Sequence, residues 1–499
     1  MHRPSRFPLY GMIRPTSLAL LALLLSVLPV SAQERPLTLQ EAILRAQTQG
    51  PDASIARLDR QQATANFDVY QAQNLPRLSL NGSAPGLERS ISNVQQDDGS
   101  VRYVEQSRTF SRAEFELAQS IPWTGGRFLV SSGLSRVNQF GNRQFSQWQS
   151  SPVSIGLEQP LFQYNQLKWN RRVEPLRYRV AERRLDADLA EVAVETARSY
   201  FNVYIAEINR DIADFNVAVN DTIFGLSQGR YEIGRIAENE LLESELALLN
   251  AQSERSQAAL ALEEARRELR QTLGLSDTAA VPIDPPTRIP PIDVDPNAAV
   301  AQASRNRADL LELRLDRAEA RENVARAKSQ SGFSANVSAR FGLNQSAEAL
   351  GDAYSNPLNQ QRFGITFQMP LYNWGQGRAR VAAAEAARER TRQSAAERRK
   401  ELEREVYIEA RQLEQLEQQA RIAATADTVA TRRFEVARNR YTVGQIAITD
   451  LFDAQRQKDQ ARRAYLQTLR DFWVSYYRLR RLTLHDLVND TPLQRATAE

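Results

Sequence analysis

The spacing of apolar side chains changes twice within each half of the chain. From Leu185 the apolar positions are Leu189, Val192, Tyr200, Tyr204, Ile208, Ile212, Phe215, Val219, Ile223 and Leu226. With the gap between Val192 and Tyr200 counted as two steps, the mean step is about 3.7 residues, nearer an eleven-residue repeat than a heptad, which predicts long, nearly straight helices rather than a left-handed coiled coil. The opposite face carries Arg, Glu, Gln and Asn, as a solvated or water-lining face does. Tyr164 to Tyr231 contains Pro175 early and Gly225 and Gly229 late, with no other breaker. A helix over that stretch spans roughly 90–100 Å at 1.5 Å per residue.

Between such stretches the period drops to two. Phe333, Ala335, Val337, Ala339 and Phe341 alternate with Ser334, Asn336, Ser338 and Arg340; Phe363, Ile365, Phe367, Met369 and Leu371 alternate with Arg362, Gly364, Thr366 and Gln368. Runs of about nine to eleven residues have the length of a tilted strand crossing a bilayer, although a soluble hairpin shows the same alternation. Trp123, Trp148, Trp169 and Trp374 lie at or near strand ends, where a membrane-interface girdle puts them. In the first half, Ala113, Phe115, Leu117 and Ile121 alternate with Arg112, Glu114, Glu116 and Ser120, and after the turn Trp123-Thr124-Gly125-Gly126, Phe128, Val130, Ser132 and Leu134 alternate with Arg127, Leu129, Ser131 and Gly133. The expected path runs outward over Pro76–Ser83, through a polar loop Gly86–Phe110, back over Arg112–Ile121, out over Arg127–Arg136 and back over Val153–Leu161. That gives four strands in the first half and two in the second, six per chain. The alternative is an extra hairpin folded over the barrel mouth without joining the ladder.

The two halves match each other. RYEIGRIAENELLESE at Arg230–Glu245 returns as RYTVGQIAITDLFDAQ at Arg440–Gln455, 210 residues later, and the same offset aligns LEQPLFQYNQ with FQMPLYNWGQ, placing Pro160 on Pro370 as the strand-to-helix exits. Arg57-Leu58-Asp59-Arg60 pairs with Arg314–Arg317 at an offset of 257, so the first half holds 47 more residues before Pro160. The organisation read from this is a secretory segment 1–32, a first repeat 33–275 (strands about 76–161, hairpin tip near 231–240), a proline-rich extended connector 276–297, a second repeat 298–488 (strands about 333–371, tip near 441–450) and a tail 489–499. At the tips Gly234 and Gly444 sit where a helix stops and a left-handed residue is wanted. Asn239 and Thr449 are candidate caps of the following helices, with Glu240 and Asp450 favourable in the first turn.

Composition narrows the chemistry. Arg3, Arg6 and Arg14 precede the apolar run Ser17–Val30, and Val30-Ser31-Ala32 offers small residues for cleavage, the pattern of a secretory signal. Without it the formal +4 shrinks to 61 basic against 60 acidic residues, so the basic pI carries no nucleic-acid claim. There are no cysteines, and of two histidines only His485 lies beyond the signal. No disulfide, no multi-histidine metal site, no phosphate-binding glycine loop and no nucleophile elbow follow; neither enzyme nor cofactor is expected.

Strands inside a membrane must leave no unpaired edge, so a unit this small must share its barrel with other copies. The helix–strand–strand–helix order repeated twice, the QPLF and MPLY exits and the two RY-x-x-G-x-I-A segments resemble the TolC family of outer-membrane factors over nearly the whole chain. The resemblance implies a mixed α and β membrane protein: a homotrimer sharing one transmembrane β-barrel in outer-membrane lipid, continued into a long α-helical periplasmic tunnel with a constricted entrance. It implies a periplasmic adaptor and an inner-membrane pump as partners, and efflux or export as the function. Asp450 and Asp453, three apart on one helix face, match the paired aspartates that line the family's entrance, six carboxylates in a trimer. Tyr441 matches a tyrosine that helps hold the entrance shut, Glu240 its acidic partner, and Asn239 lies beside it; Gly234, Gly444, Ile236 and Ile446 form the adaptor-facing tips. Ile446 stands where the family pattern has an arginine gate link. A periplasmic helical-hairpin adaptor or scaffold is the competing reading; it leaves the paired amphipathic strands unexplained.

Overall fold

A computed structural model describes residues 35–95, 98–141, 144–486 and 491–493. The expected signal segment, and all of the tail but 491–493, lie outside the described residues. A two-residue strand β1 (Leu37–Thr38) leads into α1 (Leu39–Gln49) and α2 (Pro51–Ala72). Thr38 and Glu41 form a reciprocal capping box at α1, and Pro51 opens α2 where its missing N–H costs nothing. Four strands follow, β2 (Arg77–Gln95), β3 (Val101–Ile121), β4 (Gly126–Phe140) and β5 (Phe145–Leu161), and then the helices α3 (Gln166–Glu232) and α4 (Glu238–Leu273). The Asn165 side chain caps α3 by accepting from the Lys168 N–H.

The connector runs extended, and its short strand β6 (Ile283–Asp284) pairs parallel with β1. The second half contains α5 (Pro296–Asn306), α6 (Ala308–Gln330), β7 (Ser334–Ala347), β8 (Leu358–Gln368), α7 (Gln376–Thr442) and α8 (Ile448–Thr483). Helices α3 and α7 are each 67 residues long, and α4 and α8 each 36. The main core packs α1, α3, α4, α7 and α8 around Tyr200, Phe201, Leu269, Leu273, Val406, Leu469, Phe472 and Leu479, with Ile283, Ile289 and Val294 of the connector against it.

Six strands form one antiparallel sheet in the order β2-β3-β4-β5-β7-β8. All four strands of the first half join the ladder, which excludes a hairpin folded apart from it. The expected polar loop Gly86–Phe110 is a correction: β2 and β3 stay paired out to Gln95 opposite Val101. Hairpin pairing rests on backbone hydrogen bonds and needs no alternation of side chains, so it continues where the alternating pattern stops. Arg108 reaches Glu88 at 2.7 Å and Arg89 pairs with Glu105 across these outer rungs.

The register sorts the side chains cleanly. One face carries Leu78, Leu80, Phe115, Leu117, Phe128, Val130, Ile155, Leu157, Phe341, Phe363, Ile365 and Phe367. The other carries Ser79, Glu114, Glu116, Arg127, Ser131, Ser154, Glu158, Ser338, Arg340, Arg362 and Thr366. Pro160 sits inside the last rungs of β5, opposite Asn336, and Pro370 lies just past β8. Trp123 and Trp374 are exposed where the strands turn or exit, beside exposed Phe162 and Tyr372. Among the described residues no helix is long and apolar enough to cross a membrane.

Candidate functional site

Both tips turn in the same way. Helix α3 ends at Glu232; Gly234, at φ 71°, donates to the Tyr231 carbonyl and Arg235 to that of Arg230, both at 2.8 Å. Gly444, at φ 77°, repeats the motif with Tyr441 and Arg440 at 2.9 Å. These are Schellman closures, and a Cβ at either glycine would force a left-handed backbone on an L side chain. The expected caps are corrected: Ala237 and Ala447 occupy the N-cap positions without a side-chain bond. Asn239 and Thr449 already lie inside the first turns, two residues beyond those alanines.

The tip core consists of Ile223, Phe434, Tyr441, Ile448, Leu451 and Ala454, with Ile446 and Phe452 packed against it. Tyr441 is buried; its hydroxyl lies 3.2 Å from Ser227 Oγ and its ring lies 5.1 Å from the Arg230 guanidinium. Arg230 also donates to the Tyr441 and Thr442 carbonyls at 3.2 and 3.1 Å. Within one chain Tyr441 therefore ties α7 to α3 through Ser227 and Arg230, and Glu240 stands apart in the first turn of α4. Ile236 is half-buried, whereas Ile233 and Val443, beside the two glycines, are largely exposed.

The two aspartates differ. Asp450 projects from the first turn of α8 into solvent and forms no ion pair among the described residues. Asp453 is held by Arg433 at 3.2 Å, Gln457 at 2.9 Å and Arg456 at 3.5 Å. A polar layer that the hydrophobic pattern gave no sign of lies deeper between α3 and α8. Asn216 Nδ2 donates to Asp459 Oδ2 at 2.7 Å, Lys458 lies 3.1 Å from Asp459 Oδ1, and the Lys458 ammonium sits 4.4 and 4.6 Å from the ring centres of Phe215 and Phe434. A buried charge needs a partner, and Lys458 and Asn216 supply one to Asp459, while the side-chain oxygens of Asn216, Asn220 and Gln455 have no hydrogen-bond partner among the described residues.

The family model for outer membrane efflux proteins matches residues 42–275 and 299–483. No curated protein matches the chain in sequence at a significant level. Among solved structures, the CmeC outer membrane channel of Campylobacter jejuni superposes at TM-score 0.66 with 14% identity, covering 90% of this chain and 88% of that one. The outer membrane protein VceC of Vibrio cholerae gives 0.64 and 14%, over 89% and 95%. The open state of the MtrE outer membrane channel of Neisseria gonorrhoeae gives 0.61 and 15%, over 92% and 90%. These likenesses carry the fold, and the family match, spanning both repeats and stopping short of neither tip, carries the identity. The chain belongs to the outer membrane efflux protein family and is an efflux channel subunit rather than a periplasmic scaffold.

Proposed function

We propose that three copies close a single 18-stranded barrel in the outer membrane and continue it as a helical tunnel whose periplasmic tips form the entrance. The observation that carries this reading is a six-stranded sheet with one continuous apolar face and two unpaired edges, β2 and β8. Each unpaired backbone group in hydrocarbon costs several kcal/mol, so β8 of one copy pairs with β2 of the next. Eighteen strands enclose an aqueous lumen of porin width, and the polar face, with its arginines and glutamates, lines it. Exposed Trp123, Phe162, Tyr372 and Trp374 make the girdle on the periplasmic side.

The helices supply a second seam. Ile422, Val429 and Val436 recur every seven residues on α7 and are exposed in the single chain, as are Val443 just past its end and Leu242, Leu246 and Leu249 on α4. An apolar stripe of that length on a solvent face marks an interface, here with the neighbouring copy. At the entrance, three Asp450 carboxylates attract cations, and the tips with Ile233, Ile236, Val443 and Ile446 meet a periplasmic adaptor that couples the channel to an inner-membrane pump. Cargo moves from that pump to the exterior. The deciding experiment is cryo-electron microscopy of the detergent-extracted protein, expected to show a trimer with six strands per copy. A water-soluble monomer, or a barrel of four strands per copy, would overturn the reading.

A further inference from the structure

The polar face of β5, β7 and β8 can be read as a grid from the register. One rung holds Ser154, Gly342 and Gln360; the next holds Gly156, Arg340 and Arg362; the third holds Glu158, Ser338 and Gly364. Two arginines thus stand directly opposite each other at the centre, ringed mainly by glycine and serine. Side chains at directly opposed positions lie about 4.5–5.5 Å apart at Cβ, and like charges placed so repel. The acids nearby do not relieve this. Glu158, at the corner, is engaged by Arg127 at 2.7 Å; on β3, Glu114 is engaged by Arg112 at 2.6 Å, and Glu116 stands three strands away from Arg340. Neither Arg340 nor Arg362 makes an ion pair among the described residues, and both are exposed. Across the proposed seam, the polar face of β2 presents Arg77, Ser79, Asn81 and Ser83, none of them acidic. The small neighbours leave space as well: a Cβ on Gly156 would come 3.7 Å from Arg340 Nε.

We infer that Arg340 and Arg362 form an anion-binding site on the lumenal wall of the barrel, one per subunit, taking a phosphate or carboxylate group of a passing solute. The inference rests on the channel reading for which side of the sheet is the lumen. Two guanidiniums side by side offer planar donor forks that match the oxygens of such groups, which removes the repulsion the empty pair carries. The channel would then hold opposite preferences at its two ends: cation-attracting carboxylates at the periplasmic entrance and anion-retaining arginines near the exit. A zwitterionic or acidic cargo would be slowed in the barrel and not at the tips.

The test is titration calorimetry of the detergent-extracted full-length protein with inorganic pyrophosphate. Low ionic strength is used, where screening extends to about 30 Å. The expected result is one site per subunit, weakened about tenfold or more by Arg340→Gln with Arg362→Gln, and largely retained by the charge-keeping Lys pair. Absence of binding by the unmodified protein overturns the proposal, whatever the variants do, and so does equal binding by the Gln pair. Should the double variant fail to assemble, Arg362→Gln alone must still weaken binding. Light scattering on the same samples reads the oligomer: a monomer that binds pyrophosphate sinks the barrel, and a trimer that does not sinks only the arginine site.

Discussion

A carboxylate attracts a passing ion with its full charge only when no guanidinium already sits on it, and this separates two aspartates that the helix period treats as equals. Asp450 has no ion pair among the described residues; Asp453 is spent on Arg433 and Arg456. In planar bilayers Asp450→Ala should reduce cation selectivity and raise the concentration of a trivalent cation needed for block about threefold or more, since clustered charge in a narrow opening acts at low effective dielectric. Asp453→Ala should leave block nearly intact and instead release α8 from α7, raising resting conductance. Equal effects on block would restore the six-carboxylate ring. Tyr441 offers a second test: Tyr441→Phe removes only the Ser227 bond, worth about 1 kcal/mol, whereas Tyr441→Ala also empties the tip core, at about 3–5 kcal/mol by analogy with Phe. Resting conductance should rise in that order, and a channel unchanged by both would reduce Tyr441 to a packing residue. Gly234 and Gly444 were legible from sequence because a positive φ leaves few choices of residue. The Asn239 and Thr449 caps were misread because each helix begins one residue before them, after an alanine that offers no side-chain acceptor. The Asp459 layer was hidden because Asn216, Asn220, Gln455 and Asp459, four residues apart on each helix, read as the solvated face of an amphipathic helix.

At the scale of elements, the alternating pattern located six strands but stopped short of the outer end of every one. Alternation records contact with lipid on one face and water on the other, so it stops at the membrane boundary even where the hydrogen-bond ladder runs on to Gln95 and Val101. The α7 seam was missed for a related reason: its heptad stripe is interrupted by Gln415, between Ile408 and Ile422. The subunit seam of the barrel can be tested directly, because the chain contains no cysteine. Ser79→Cys paired in turn with Gly364→Cys, Thr366→Cys and Gln368→Cys should give at least one combination that oxidises to covalent trimers on a non-reducing gel. Monomers only, from all three, would mean that β2 and β8 do not meet. Separately, Val429→Asp with Val436→Asp should abolish the heat resistance of the trimer if α7 faces a neighbouring copy, since each buries an unpaired charge; unaltered heat resistance would place that stripe in solvent.

For the whole molecule, loss of the gene should sensitise cells to at least one toxic compound or block export of one substrate. A broad panel without change, in a strain free of paralogues, would speak against a working exporter. The family was readable from the repeats; the cargo was not, because a water-filled tunnel recognises a solute weakly and leaves few residue-level marks. The equal lengths of α3 and α7, and of α4 and α8, have a consequence of their own. Gln166 to Leu273 and Gln376 to Thr483 run 210 residues apart with no insertion between them, whereas the segments before them differ by two whole strands. One residue added to a stave turns everything beyond it by about 100°, so its seam would no longer face its neighbour. The tunnel thus behaves as a gauge block: a protein of this build reaches a set depth, roughly 100 Å for a 67-residue helix. A cell whose envelope widened could restore contact only by lengthening both repeats, or the partner that reaches up to meet them.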